Sequence, residues 1–142
     1  MKDHRGFSLL ELLIVVAIIL IIATVAIPSL LRSRQAANES SAVANLRSLN
    51  TAEVSYSSST GFYGSRAALI ADGLIDSRFN GMTSGYNYSV DLAPGGLGYT
   101  AYATAASDNM GRWDYYTTPD FVIRYTTIAS RAPAGLAGEP VR

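Results

Sequence analysis

The sequence contains no cysteine and a single histidine, His4. Without cysteine, the chain has no disulfide, no thiol nucleophile and no cysteine-based zinc site. Basic and acidic residues number 11 each, and this balance favours neither nucleic acid nor an acidic surface as an obligate partner. We therefore predict a protein that is not an enzyme, has no catalytic or metal-binding residues and needs no cofactor.

The N-terminal region is almost free of polar residues. From Phe7 to Ile27 only Ser8, Glu11 and Thr24 interrupt an apolar run. As a helix this run covers roughly 31 Å at the standard rise, which matches a hydrocarbon core of about 30 Å. The run is therefore long enough to span a membrane.

A secretory signal peptide is the first alternative for this region. Lys2, His4 and Arg5 form a basic start, and Thr24-Val25-Ala26 offers a small-residue cleavage site. Two features count against it: the apolar run exceeds the usual length of such a segment, and a carboxylate lies near its start.

Glu11 is that carboxylate. An ionised group deep in a bilayer costs on the order of 3 kcal/mol, so an acidic residue there indicates a functional site. The plainer alternative is that Glu11 only reaches the headgroup layer. If the chain is cut after Gly6, however, Phe7 becomes an N-terminus whose ammonium lies one helical turn from Glu11.

These residues resemble the start of type IV pilins and type II secretion pseudopilins. In that family a short basic leader ends in Gly, followed by Phe, an acidic residue at the fifth place after the cut and an apolar helix; Gly6, Phe7 and Glu11 occupy those places, and Pro28 follows the run as in many pilins. The resemblance implies that a prepilin peptidase cuts between Gly6 and Phe7 and methylates the Phe7 amine. It also implies that Glu11 pairs with the Phe7 amine of an adjacent subunit and so sets the register of a filament.

The resemblance also implies location and partners. Charge alone leaves the topology ambiguous, because Lys2 and Arg5 precede the span while Arg32 and Arg34 follow it. By resemblance, the chain crosses the inner membrane once with a cytoplasmic N-terminus and later joins an extracellular filament. The implied partners are further copies of the chain, the peptidase, an assembly platform and an assembly ATPase.

The composition changes along the chain and predicts six segments. Removing the leader leaves 9 basic and 10 acidic residues, a formal charge of −1. The segments are a leader over 1–6, a transmembrane and filament-core helix over 7–28, an amphipathic helix over 29–57, a loop with a short helix over 58–84, an antiparallel sheet over 85–129 and a flexible tail over 130–142.

We predict one long helix from about Phe7 to Tyr56, kinked or loosened at Pro28 and ended by Ser57 to Gly61. Its apolar face comprises Ala42, Val43, Leu46, Leu49, Ala52 and Tyr56. Its opposite face comprises Asn38, Ser41, Asn45, Ser48, Thr51 and Ser55. Ser65 caps a short helix over Arg66 to Asp72 that stops at Gly73.

Four strands are predicted beyond the loop, over Tyr86 to Leu92, Tyr99 to Thr104, Trp113 to Thr117 and Phe121 to Thr126. The fold class is therefore α+β and similar to type IV pilins, with a long N-terminal helix packed on a small antiparallel sheet of about four strands.

The leading function is the structural subunit of a type IV pilus that serves adhesion, motility or uptake. A pseudopilin of type II secretion is one alternative, and a monomeric membrane-anchored binding domain is another. Asp108, Asn109, Asp114 and Asp120 offer oxygen ligands to calcium, but we expect them to form turns. Asn38-Glu39-Ser40 and Asn87-Tyr88-Ser89 match the glycosylation pattern, which arises often by chance.

Overall fold

A computed structural model describes residues 7–125 and 138–141 of the chain. The chain divides into two compact units, Met1–Arg34 and Gln35–Arg142, and helix α1 (Leu9–Thr60) contributes to both. The predicted long helix is therefore confirmed. Pro28 lies inside α1, and the kink predicted there stays a prediction.

The end of α1 lies four residues beyond the predicted Tyr56. The hydroxyls expected to stop the helix bond instead to carbonyls of its preceding turn: Ser58 Oγ donates to Val54 O at 2.7 Å, and Thr60 Oγ1 donates to Tyr56 O at 2.9 Å. Such bonds leave the helix intact. The helix ends only at Gly61, whose φ of 82° is left-handed.

The segment after α1 contains two short helices. Helix α2 (Arg66–Ala71) is capped by Ser65, whose Oγ accepts from Ala68 N at 3.2 Å as predicted. A 3₁₀-helix over Ser77–Asn80, which was not predicted, follows it and contacts the first strand of the sheet. A further 3₁₀ turn covers Pro94–Gly96.

Within residues 7–125 and 138–141 the sheet has five antiparallel strands in sequential order, one more than predicted. They are β1 (Tyr86–Leu92), β2 (Tyr99–Ala105), β3 (Tyr115–Thr117), β4 (Ile123–Tyr125) and β5 (Glu139–Pro140). Tyr102 is opposite Tyr116, and Tyr116 is opposite Arg124. The predicted fold class is confirmed: a long N-terminal apolar helix with a small antiparallel sheet.

Two predicted strands and part of the predicted tail need correction. Strand β3 begins two residues after Trp113, where Asp114 Oδ1 accepts from Ala105 N at 2.8 Å. Strand β4 begins after Phe121, whose left-handed φ of 62° is incompatible with a strand. Glu139–Pro140 pairs with β4 inside the segment predicted as a flexible tail; the rest of that segment, apart from residues 138 and 141, lies outside the described residues.

The outer edge of β1 is occupied at three backbone groups. Thr83 and Tyr86 exchange both backbone hydrogen bonds, at 2.9 and 3.0 Å. The guanidinium of Arg66 donates to the carbonyl of Tyr88. This edge is therefore partly covered by the chain's own residues.

The core lies between the second half of α1 and the sheet. The apolar helix face is buried as predicted, with Tyr56 half-buried. Asn45, which was expected to face elsewhere, is also buried, because its Nδ2 donates to Tyr88 Oη at 2.9 Å. Asn50 is likewise buried and bonds Thr117 Oγ1 at 3.0 Å and Tyr99 Oη at 2.8 Å. Polar pairs thus fix the position of the helix on the sheet.

The loop between β2 and β3 is bound to α1. Gln35 Nε2 donates to Asp108 O at 2.6 Å, and Asn38 Nδ2 donates to Met110 O at 2.8 Å. The guanidinium of Arg112 donates to both carboxylate oxygens of Glu39, at 3.1 and 2.9 Å. This bidentate pair is the strong form of a charged contact.

Gly111 allows this loop to pack closely. We therefore expect Gly111→Ala to destabilise the unit Gln35–Arg142, here called the globular unit. A Cβ at Gly111 would lie 2.0 Å from Tyr86 Oη, which donates to Trp113 O at 2.8 Å. Overpacking of this kind costs about 1–3 kcal/mol. Thermal unfolding of the full chain in detergent would measure the loss. Gly81→Ala is the control, because a Cβ there meets nothing within 4 Å; equal unfolding temperatures for the two variants would contradict the prediction.

Candidate functional site

The N-terminus of α1 is closed by two reciprocal hydrogen bonds between Ser8 and Glu11. Ser8 N donates to Glu11 Oε2 at 2.9 Å, and Glu11 N donates to Ser8 Oγ at 3.2 Å. Ser8 precedes the first helical residue, so the sequence Ser8-Leu9-Leu10-Glu11 is a capping box. Two backbone groups that a helix terminus leaves without partners are thus satisfied by side chains.

The capping box holds Glu11 at the positive end of the helix dipole, where a carboxylate is favoured. Phe7 is exposed and directly precedes the box. In the described part of the chain, Glu11 Oε1 has no hydrogen bond. Among the described residues, the carboxylate therefore keeps one oxygen without a donor.

The apolar side chains behind the capping box are exposed on all sides of the helix. The part of α1 that is apolar enough to cross a membrane contains no buried residue. Its mean hydropathy is 3.1, and it lies near the N-terminus. Thr24, the one polar side chain in its middle, donates to Ile21 O at 2.7 Å and so needs no outside partner. This segment requires an apolar partner, either lipid or other helices.

The four predicted site residues, Gly6, Phe7, Glu11 and Pro28, lie in different parts of the chain. Gly6 lies outside the described residues. Phe7 lies two residues before α1 and Glu11 lies in the first turn of α1, whereas Pro28 lies within the helix, far along the chain from both. Sequence reasoning missed Ser8 as the partner of Glu11, although the Ser-x-x-Glu pattern before an apolar run was the available signal.

The acidic residues considered for calcium have roles within the fold. Asp114 is buried, and its carboxylate accepts from the Ala105 amide. Asp120 accepts from Thr118 and Val122 in its own turn, and the neighbouring Arg124 lowers the pKa of Asp120 to about 2. Among residues 7–125 and 138–141, no three acidic or histidine side chains lie close enough to hold a metal ion.

Glu53 is the most deeply buried carboxyl group in the described part of the chain. It lies on α1 and is 0% exposed; its Oε2 accepts from Gly64 N at 2.9 Å, and its Oε1 has no partner among the described residues. Burial raises the pKa of Glu53 above its ordinary value of 4.5, although the Gly64 bond opposes the shift. Glu53 connects the helix to the loop after it.

Comparison with known proteins identifies the N-terminal segment. Residues 1–27 match the family model described as the prokaryotic N-terminal methylation motif. The chain carries this motif. It contains Gly6, Phe7, Ser8 and Glu11, so the methylation motif includes the whole capping box.

Two relatives share a larger part of the chain than the methylation motif. The type IV major pilin protein PilA of Myxococcus xanthus is 40% identical over 92 residues, which are 65% of this chain and 39% of that protein. The type IV wide pilus major component PilA4 of Thermus thermophilus is 44% identical over 75 residues, which are 52% of this chain and 57% of that protein. The resemblance to type IV pilins is confirmed. The chain spans less than two thirds of each relative's length, and no solved structure matches it.

We expect Ser8→Ala to loosen the first turn of α1. The change removes the oxygen that accepts from Glu11 N, and losing such a cap costs about 1 kcal/mol. Hydrogen exchange of the Glu11 amide in detergent micelles should accelerate about fivefold. Ser8→Thr keeps the hydroxyl and should leave the exchange rate near that of the wild type; equal rates in both variants would show that the capping box does not hold the turn.

Glu53 should make stability depend on pH. Because the pKa of Glu53 is raised on folding, its contribution favours the folded state below pH 4.5 and is lost as the pH rises through the folded-state pKa. Glu53→Gln keeps an acceptor for Gly64 without the charge, so it should raise the unfolding temperature at neutral pH and flatten this loss. Thermal unfolding of the full chain between about pH 4 and pH 8 tests it.

Asp91→Asn is the control for Glu53→Gln, because Asp91 is an exposed carboxylate on β1. We expect it to leave the pH profile of the unfolding temperature unchanged. A Glu53→Gln profile that stays parallel to that of the wild type would contradict the prediction.

Proposed function

We propose that this chain is a structural subunit of a type IV pilus. The observation that carries the proposal is the methylation motif at the start of a helix whose apolar half is exposed on all sides. Both reported relatives are pilus components, which supports a pilus rather than a secretion pseudopilus. The work of such a subunit is mechanical, and the chain acts as a polymer unit rather than as an enzyme.

Processing is the first step of the proposed function. A prepilin peptidase cuts between Gly6 and Phe7 on the cytoplasmic side and methylates the new amine of Phe7. Cleavage leaves a cation at Phe7, beside Ser8 and the first turn of α1. Until assembly the apolar half of α1 spans the inner membrane, where lipid covers its exposed side chains.

Pairing of Glu11 with the Phe7 amine of an adjacent subunit is the second step. The capping box occupies Oε2 of Glu11, and Oε1 accepts from the neighbour's amine. A carboxylate and an ammonium in apolar surroundings neutralise each other only when both are correctly placed, so the pair selects one axial stagger. Register is therefore set at the end of the helix that lies in the core of the filament.

Extraction from the membrane is the third step. The apolar half of α1 exchanges lipid for the corresponding helices of other subunits and becomes the filament core. Pro28 lacks an N–H and lets the helix bend or loosen there as the subunit moves. An assembly platform and an assembly ATPase drive this transfer, and the globular unit faces outward on the cell surface.

The first experiment is intact mass and N-terminal analysis of the protein from sheared surface filaments and from the inner membrane of its native host. A chain that begins at N-methylated Phe7 and is abundant in sheared filaments is the expected result. The same chain confined to the envelope would indicate a pseudopilin or a minor subunit. A chain that keeps residues 1–6, or is cut near Ala26, would overturn the proposal.

Glu11→Gln should abolish assembly while leaving the chain cut and in the membrane. Removing one partner of a buried ion pair costs about 3–5 kcal/mol, so recovery in sheared filaments should fall by more than about a hundredfold. Thr24→Val is the control, because Thr24 lies in the same apolar run and bonds only within its helix. A Glu11→Gln chain that assembles normally would show that a feature other than Glu11 sets the register.

A further inference from the structure

A groove lies between α1 and the loop that joins β3 and β4. It is lined by Arg47, Asn50, Thr51, Val54 and Phe121, and its volume is about 400 Å³. Val54 and Phe121 are 43% and 47% exposed. Two large apolar side chains therefore border an open depression on the globular unit.

Phe121 is held in a costly backbone conformation to line this groove. Its φ of 62° is an outlier for an aromatic residue, and such strain persists only where neighbours enforce it. Here Phe121 N donates to Thr118 O at 2.9 Å, and Asp120 accepts from Thr118 Oγ1 at 2.8 Å and from Arg124. These hydrogen bonds hold Phe121 at the surface beside the groove and not in the core.

Among the described residues, Arg47 is the one charged residue that lines the groove. It is exposed and forms no ion pair with another residue in the described part of the chain. An occupant of the groove should therefore combine an apolar side chain with negative charge.

The turn over 72–76, here called the acidic turn, has these properties. Leu74 is 38% exposed and lies in sequence between the exposed carboxylates of Asp72 and Asp76. The turn is rigid, because Leu74 N donates to Leu69 O at 2.9 Å and the buried Ile75 anchors it to the core. It offers one apolar side chain flanked by two negative charges.

The groove and the acidic turn lie on different parts of the sheet. The acidic turn leads into the 3₁₀-helix that contacts β1, an edge strand, whereas the groove adjoins the loop between β3 and β4. Strand β3 is two strand spacings from β1, roughly 10 Å. When two complementary patches lie at separate places on one surface, each copy binds the next copy head to tail. Such a contact continues into an open helical polymer when the rotation between copies does not close a ring.

We propose that the groove of one subunit receives the acidic turn of another copy of this chain, with Leu74 between Val54 and Phe121 and the two aspartates around Arg47. This inference rests on the proposed pilus function and adds a contact between globular units to the pairing at Glu11. The contact makes the globular unit selective for copies of the same chain. The packing of apolar helices does not provide this selectivity.

Cysteine cross-linking tests the contact, because the natural sequence has no cysteine. The variant with Val54→Cys and Leu74→Cys should form a ladder of disulfide-linked multimers in sheared filaments after mild oxidation, and none in the inner-membrane fraction. The control replaces Leu97 instead of Leu74; Leu97 is 76% exposed and apolar but has no adjacent acidic residue. A ladder equal to that of the control, or none in intact filaments, overturns the inference and leaves the pilus function standing.

Charge exchange gives an independent measurement if the cysteine pair blocks assembly. Arg47→Asp should lower filament recovery at least threefold, as should Asp72→Arg with Asp76→Arg, and all three changes together should restore it. Ser48→Asp, an exposed change outside the groove, is the control. Recovery at the wild-type level in both charge variants, or no restoration in the combined one, overturns the inference. Absence of filaments from the wild-type chain itself would overturn the pilus function instead.

Discussion

The apolar first half of α1 must be kept out of water, and most other features of the chain are arranged around that requirement. The stretch of α1 that is long enough to cross a membrane is not buried by any described residue of the chain. Lipid or other helices therefore have to cover this stretch. Nonpolar burial alone fixes no register, because one apolar helix slides along another at little cost. In the proposed filament, Glu11 is the only charge in the run, and its pairing fixes the register that the hydrophobic effect leaves open.

The globular unit uses a different principle, because polar side chains position its helix. Asn45, Asn50 and Glu39 all lie on the buried side of α1, and each bonds a specific group on the sheet or its loops. A sheet with so many tyrosines can direct their hydroxyls at the helix while the rings fill the core. The helix is thus attached at defined points along its length, in addition to the packing of its buried apolar face.

Sequence reasoning predicted the features that follow from periodicity and from the motif. The long helix, the apolar face from Ala42 to Ala52, the Ser65 cap and the first two strands were found because each rests on a local pattern. The burial of Asn45 and Glu53 was missed, since only their partners across the fold make burial tolerable. The pairing of Glu139–Pro140 with β4 joins segments distant in sequence, which no local pattern records. The left-handed Phe121 lies in a turn held by Thr118 and Asp120, and the apolar pattern of a strand masked that turn.

The covered edge of β1 has a consequence for storage and handling of the protein. A bare edge strand pairs with the edge of any similar chain, and this is a common start of amyloid-like aggregation. The Arg66 guanidinium and the Thr83 bridge occupy backbone groups along this edge. In the proposed pilus assembly, the partly covered edge disfavours strand pairing between subunits crowded in a membrane, so a high local concentration favours growth through the helices over aggregation.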